Sequence, residues 1–79
     1  MSSYAPRDAL ECTAVAITYQ GLDLSSYYKK GHLYEVLKVD DGVVYILDAE
    51  GYDYAFSQED VNQFFKQTSF QFPITHATH

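Results

Sequence analysis

The groups best equipped for chemistry in this 79-residue chain are one cysteine, three histidines and eleven acids. Cys12 sits in "LECTAV" with no histidine near it in sequence, so nothing there would draw off its proton. The reading is a small residue inside a strand. His32 follows Gly31 and reads as a surface residue at the start of a strand. His76 and His79 stand three apart, a spacing that on a helix would let both rings reach one metal ion. Their segment has neither a helical period nor an acidic ligand. There is no glycine-rich phosphate loop and no nucleophile elbow. The expectation is a protein with no catalytic set, no cofactor and no metal.

The acids and the tyrosines are the more promising sets. From Glu35 to Asp60 there are eight acids and one base, Lys38. Successive turns of an antiparallel meander alternate between its two ends. Asp40 and Asp41 should therefore share an end with Glu59 and Asp60, while Asp48 and Glu50 belong to the other. Four carboxylates at one rim could face a basic partner, imitate DNA phosphates or hold a hard cation. They could equally be a solvated turn and the favourable first-turn charges of a helix. No loop has the alternating oxygen ligands of a calcium site. Eight tyrosines are more than so small a domain can bury, and tyrosine favours interfaces. Tyr27 and Tyr28, beside Lys29, are the expected exposed pair, with packing over an open end of the fold as the alternative.

These residues must be held by short strands. Residues 1–9 read as a flexible N-terminal tail. "LECTAVAITYQG" is rich in Thr, Val, Ile and Tyr, which predicts a first strand over roughly 11–19, ended by Gly21. Residues 22–31 read as a long loop. "HLYEVLKV" (32–39) and "VVYILD" (43–48) read as a hairpin around Asp41-Gly42, and "YDYAF" (52–56) follows after Ala49-Glu50-Gly51. Val43, Tyr45 and Leu47 fall on one face and Val44 and Ile46 on the other, so both faces of that strand need cover. In "SQEDVNQFFKQ", Ser57 is placed to cap a short helix, with Val61, Phe64 and Phe65 as its apolar stripe and Lys66 near its end. Residues 68–79 read as a tail or an edge strand.

Composition bounds the rest. At 47% hydrophobic and 20% charged residues the chain is globular, and its size allows one thin core. A net charge of −6 repels nucleic-acid phosphate, so direct nucleic-acid binding is not expected. A lone cysteine rules out an internal disulfide framework and fits a reducing, intracellular setting. No apolar run is long enough to span a membrane, and no basic-then-apolar leader opens the chain. The compact solution for this layout is a small antiparallel barrel, because closure removes exposed edges.

The order of elements resembles the SH3-like barrel over residues 13–65. "AVAITYQG" matches its first strand, "YYKKGHLYEVL" its diverging turn and next strand, "KVDDGVVYILDAEGYDYAF" its central hairpins, and "SQEDVNQFF" its helical turn. The fold expected is mainly β, a small SH3-like antiparallel barrel spanning 10–67 with a short C-terminal helix. The chain departs from peptide-binding SH3 domains in having no Trp, and "YAFSQED" has no matching Pro, so the proline-groove activity does not carry over. The pattern is also similar to small acidic proteins of bacteriophage genomes. It shares with them Lys30, Gly31, Tyr34, Glu35, Val36, Asp41, Gly42, Asp48, Gly51, Phe56, Ser57 and Phe65. That resemblance implies a non-enzymatic accessory protein that binds and modulates a host bacterial protein in the host cytoplasm. The contact residues expected, from the tyrosine pair and the acidic rim, are Tyr27, Tyr28, Asp40, Asp41, Glu59 and Asp60. An acidic DNA mimic and a self-associating structural or virion component are the alternatives.

Overall fold

The computed structural model describes residues 4–73. Seven strands and one helix follow in order: β1 (Asp8–Cys12), β2 (Thr18–Tyr19), β3 (Leu22–Asp23), β4 (Leu33–Asp40), β5 (Val43–Leu47), β6 (Asp53–Ser57), α1 (Gln58–Phe64) and β7 (Phe65–Gln71). Five strands form one antiparallel sheet in the order β6-β5-β4-β1-β7, and β2 with β3 makes a separate two-stranded ribbon. The architecture is mainly β with one short helix, as the sequence predicts. Closure of the sheet into a barrel is not formed by strand pairing among the described residues. β6 and β7 remain its two edges, and α1 joins them directly.

The β4–β5 turn forms where expected. Asp41 and Gly42 have φ of 55° and 79°, the pair of left-handed residues that lets a two-residue turn follow the twist of its strands. Asp40 then faces Val43 and Val39 faces Val44. A bulge between Val36 and Lys38 resets the alternation, so Val36 and Val39 point to the core while Lys38 lies opposite Tyr45 on the outer side. Without that extra residue the lysine would be driven inward.

The first strand differs from the sequence reading in both position and length. It is Asp8–Cys12, not 11–19, so Asp8 and Ala9 belong to the sheet instead of to a tail. Its alternation places Leu10 and Cys12 in the core, fully buried. After Cys12 the backbone N–H groups of Cys12 and Thr13 donate to His32 and Phe64 carbonyls at 3.0 and 2.9 Å, and the chain leaves the sheet. Farther on, Thr18 and Tyr19 form β2, which turns through Gln20 and Gly21, both at positive φ, into β3. The expected long loop therefore begins as half of a hairpin. Ile17, Leu24 and Tyr28 from this stretch drop into the core.

The helix keeps its expected cap. Ser57 Oγ accepts from the Asp60 N–H at 3.2 Å, Val61 is fully buried, and Glu59 and Asp60 occupy the first turn. Phe65, buried at 4% exposure, already opens β7. Lys66 therefore does not serve the helix C-terminus. It lies in β7 with its Nζ 4.0 Å from Glu11 across the sheet. β7 is an edge strand as far as Gln71, which places residues 68–71 in the sheet. His76 and His79 lie outside the described residues. At the other end Tyr4 donates its hydroxyl to Asn62 of α1.

One polar residue is built into the start of the sheet. The Asp8 carboxylate accepts from the Ala5 N–H at 2.9 Å and from the side-chain amides of Gln67 and Gln71 at 3.0 Å each. These bonds offset the cost of burying a charge and tie the N-terminal turn to β7.

Candidate functional site

The two adjacent tyrosines of the predicted contact pair part company. Tyr28 is fully buried. Its ring packs edge-on against Tyr34, Phe65 and Phe56 at centroid distances of 5.0, 5.5 and 5.7 Å, and its hydroxyl donates to the Ile46 carbonyl at 2.5 Å. Burial, and after it the Asp48 carboxylate, push the phenol far above its ordinary value. The expectation that Tyr28 is exposed to a partner is corrected: it is the centre of the core. The physical reason is local. Leu24 accepts from the N–H groups of both Tyr27 and Tyr28 in one tight turn, so neighbouring side chains leave it in different directions.

Tyr27 stays half-buried and joins a surface the sequence did not assemble. Its ring lies 6.0 Å from that of Tyr54, and Tyr54 lies 6.1 Å from Tyr19 in an edge-on arrangement. Tyr19 in turn packs on buried Phe56 at 5.4 Å. Each of the three rings is half-buried, with its inner edge on the core and the rest open. Tyr19 comes from the β2–β3 ribbon, Tyr27 from the turn that follows it, and Tyr54 from β6. Desolvation raises the Tyr54 phenol, and Tyr27, Asp48, Glu50 and Tyr52 add to the rise. Of these only Asp48 and Glu50 are carboxylates, and they stand close enough to Tyr54 to act on it. Tyr52, at 63% exposed, extends the aromatic surface outward. The signal for this grouping was available in part. Tyr52, Tyr54 and Phe56 share one face by the strand period, but only the unread β2–β3 hairpin brings Tyr19 to them.

The acidic rim forms at the predicted end. Asp40 faces Val43, and Val43 also faces Ser57, the residue that caps α1. The turn carrying Asp40 and Asp41 and the first turn of α1 carrying Glu59 and Asp60 thus stand at one end of adjacent strands. Asp40, Asp41 and Glu59 are exposed and Asp60 is half-buried. Tyr54 is three residues up β6 from Ser57, roughly 10 Å at the rise of a strand. The rim and the tyrosines are neighbours on one molecule and do not form a single pocket.

The other acids have structural duties. Asp48 is buried at 6% exposure, and its Oδ1 accepts from the N–H groups of Glu50 and Tyr52 at 2.8 and 2.9 Å, holding the β5–β6 turn. Asp23 accepts from the Ser25 hydroxyl and N–H, and those bonds hold its carboxyl below the usual range. Cys12 is buried, its thiol pushed up by desolvation and donating to the Ala14 carbonyl at 3.4 Å. That is the environment of an inert thiol. His32 is exposed, as expected. Among the described residues, no three of His, Cys, Asp and Glu converge as metal ligands, and no helix is long and apolar enough to cross a membrane. No protein-family model, curated protein or solved structure matches the chain.

Proposed function

We propose that this chain is a non-enzymatic protein-binding module with an SH3-like plan, a phage-type accessory protein that engages a host protein. The SH3-like reading is supported by the strand order β6-β5-β4-β1-β7, by the ribbon inserted between β1 and β4, and by the helical turn between β6 and β7. The observation that carries the binding role is the Tyr19–Tyr27–Tyr54 surface. Three half-open rings fixed against a packed core offer large contact area at little loss of side-chain freedom on binding. The Asp48 and Glu50 carboxylates near Tyr54 and the acidic rim favour a basic partner surface, with the rim accelerating encounter more than holding the complex. Tyr27, Asp40, Asp41, Glu59 and Asp60 remain in this contact set. Tyr28 is replaced in it by Tyr19 and Tyr54.

The test is affinity capture from a bacterial lysate by the chain and by a Tyr19→Ser/Tyr27→Ser variant. A dominant captured protein that the variant loses supports the module. Equal capture by both forms refutes this surface. An oligomeric bait that captures nothing favours self-association. Capture that DNA competes away favours the DNA mimic.

A further inference from the structure

Beside the β5–β6 turn and the start of β4 lies a depression of about 330 Å³ among the described residues. Its lining includes Leu33 and Glu35 of β4, Leu47 of β5, Asp48 and Gly51 of the β5–β6 turn, and Phe72 after β7. This size is at the low end of small-molecule sites, which span roughly 300–1,000 Å³, and suits a ligand no larger than one long side chain. Its walls combine two features rarely left together without purpose. Leu33, Leu47 and Phe72 supply apolar surface, with Leu33 43% exposed. Two carboxylates stand among them. Glu35 is half-buried, and Asp48 is buried with its Oδ2 lacking any partner although Oδ1 is fully engaged in the turn. A buried carboxylate oxygen without a hydrogen bond is costly, and a cationic donor is the group that repays it most. The one basic residue in the wall, His32, is exposed and bonds to neither carboxylate.

We infer that this depression is a binding site for a guanidinium-bearing side chain, an arginine presented by a partner. A guanidinium is planar and forked, so it meets two carboxylates and also lies flat against an aromatic ring such as Phe72. Its aliphatic stem covers apolar walls like those of Leu33 and Leu47. An ammonium is a point charge without the fork or the flat stacking face, and an apolar side chain would leave Asp48 as it is. The inference does not rest on the tyrosine surface binding a protein.

The experiment is a titration of ¹⁵N-labelled protein with N-acetyl-arginine methylamide, followed by amide chemical shifts. N-acetyl-lysine and N-acetyl-leucine methylamides are run in parallel. The expected result is saturable shifts at Leu33, Glu35, Gly51 and Phe72 with the arginine probe and weaker ones with lysine. Glu35→Gln, which takes no part in the turn bonds, weakens binding about 3-fold. Asp48→Asn keeps an acceptor for the turn and weakens binding by about 10-fold. Absence of saturable shifts at these amides, an equal response to lysine or leucine, or unchanged binding by Glu35→Gln overturns the assignment.

Discussion

Replacing Tyr28 and Tyr27 one at a time separates core from surface within a single dipeptide. Tyr28 is fully buried, touches Tyr34, Phe56 and Phe65, and bonds the Ile46 carbonyl. Truncating a buried aromatic to alanine costs ~3–5 kcal/mol, since transfer energy and the residual cavity add. A domain of this length has a total stability of about 4–12 kcal/mol, so Tyr28→Ala leaves a marginal or unfolded protein. Tyr28→Phe keeps the ring and removes only the hydroxyl bond, at about 1 kcal/mol. Tyr27 is half-buried, and Tyr27→Ala costs about 1 kcal/mol. Urea unfolding followed by circular dichroism reads these differences directly. At a denaturant slope near ~1 kcal/mol/M for a small domain, Tyr28→Phe and Tyr27→Ala each lower the midpoint by about 1 M, and Tyr28→Ala by about 3 M or more. Equal midpoints for Tyr28→Ala and Tyr27→Ala would refute the placement of Tyr28 and the core built around it.

Three further outcomes follow from the same structure. Stability should fall with rising pH above the ordinary tyrosine value of about 10, because the unfolded chain ionises at Tyr28 while the folded one does not. The loss is about 1.4 kcal/mol per pH unit, and Tyr28→Phe should flatten the urea-midpoint profile by that amount. Cys12 should resist a thiol reagent in the folded protein and react at once in urea, since it is buried with its thiol pushed up; fast native labelling would contradict its placement. Gly42→Ala meets no neighbouring atom within 4 Å but retains φ of +79°, so thermal unfolding should reveal a cost of about 1–2 kcal/mol that is purely backbone strain.

Much of the fold was legible where one local signal outweighs its rivals. Asp41-Gly42 forces a hairpin because both residues tolerate positive φ, and that turn fixes the register of β4 on β5. Ser57 followed by two acids and Val61 marks the helix. What stayed hidden depends on long-range packing. Thr, Val and Ile between 13 and 18 have high strand propensity, yet Ile17 serves as a core plug and Val15 is 77% exposed, because the β2–β3 hairpin folds over the sheet. The turn residues Gln20 and Gly21 carried a weak signal for that hairpin. "DALEC" also had the period of two that places Leu10 and Cys12 inward, but its leading acid reads as tail until Gln67 and Gln71 are seen to bond it. In the candidate site, the acidic rim was readable from turn alternation alone. The tyrosine surface was not, since Tyr19, Tyr27 and Tyr54 come from three separate segments, and nothing in "SSYYKK" reveals which tyrosine turns inward.

The central claim is that the outward tyrosines, steered by the acidic rim, form a protein-binding surface. Its most direct measurement is quantitative affinity capture with three baits of equal fold: the native chain, Tyr19→Ser/Tyr27→Ser, and Asp40→Lys/Asp41→Lys. One dominant partner is predicted. The tyrosine variant should lose it at all salt concentrations, whereas the charge-reversed variant should bind it more slowly at low salt and approach native behaviour as salt rises. Capture that is identical for all three baits would contradict the claim.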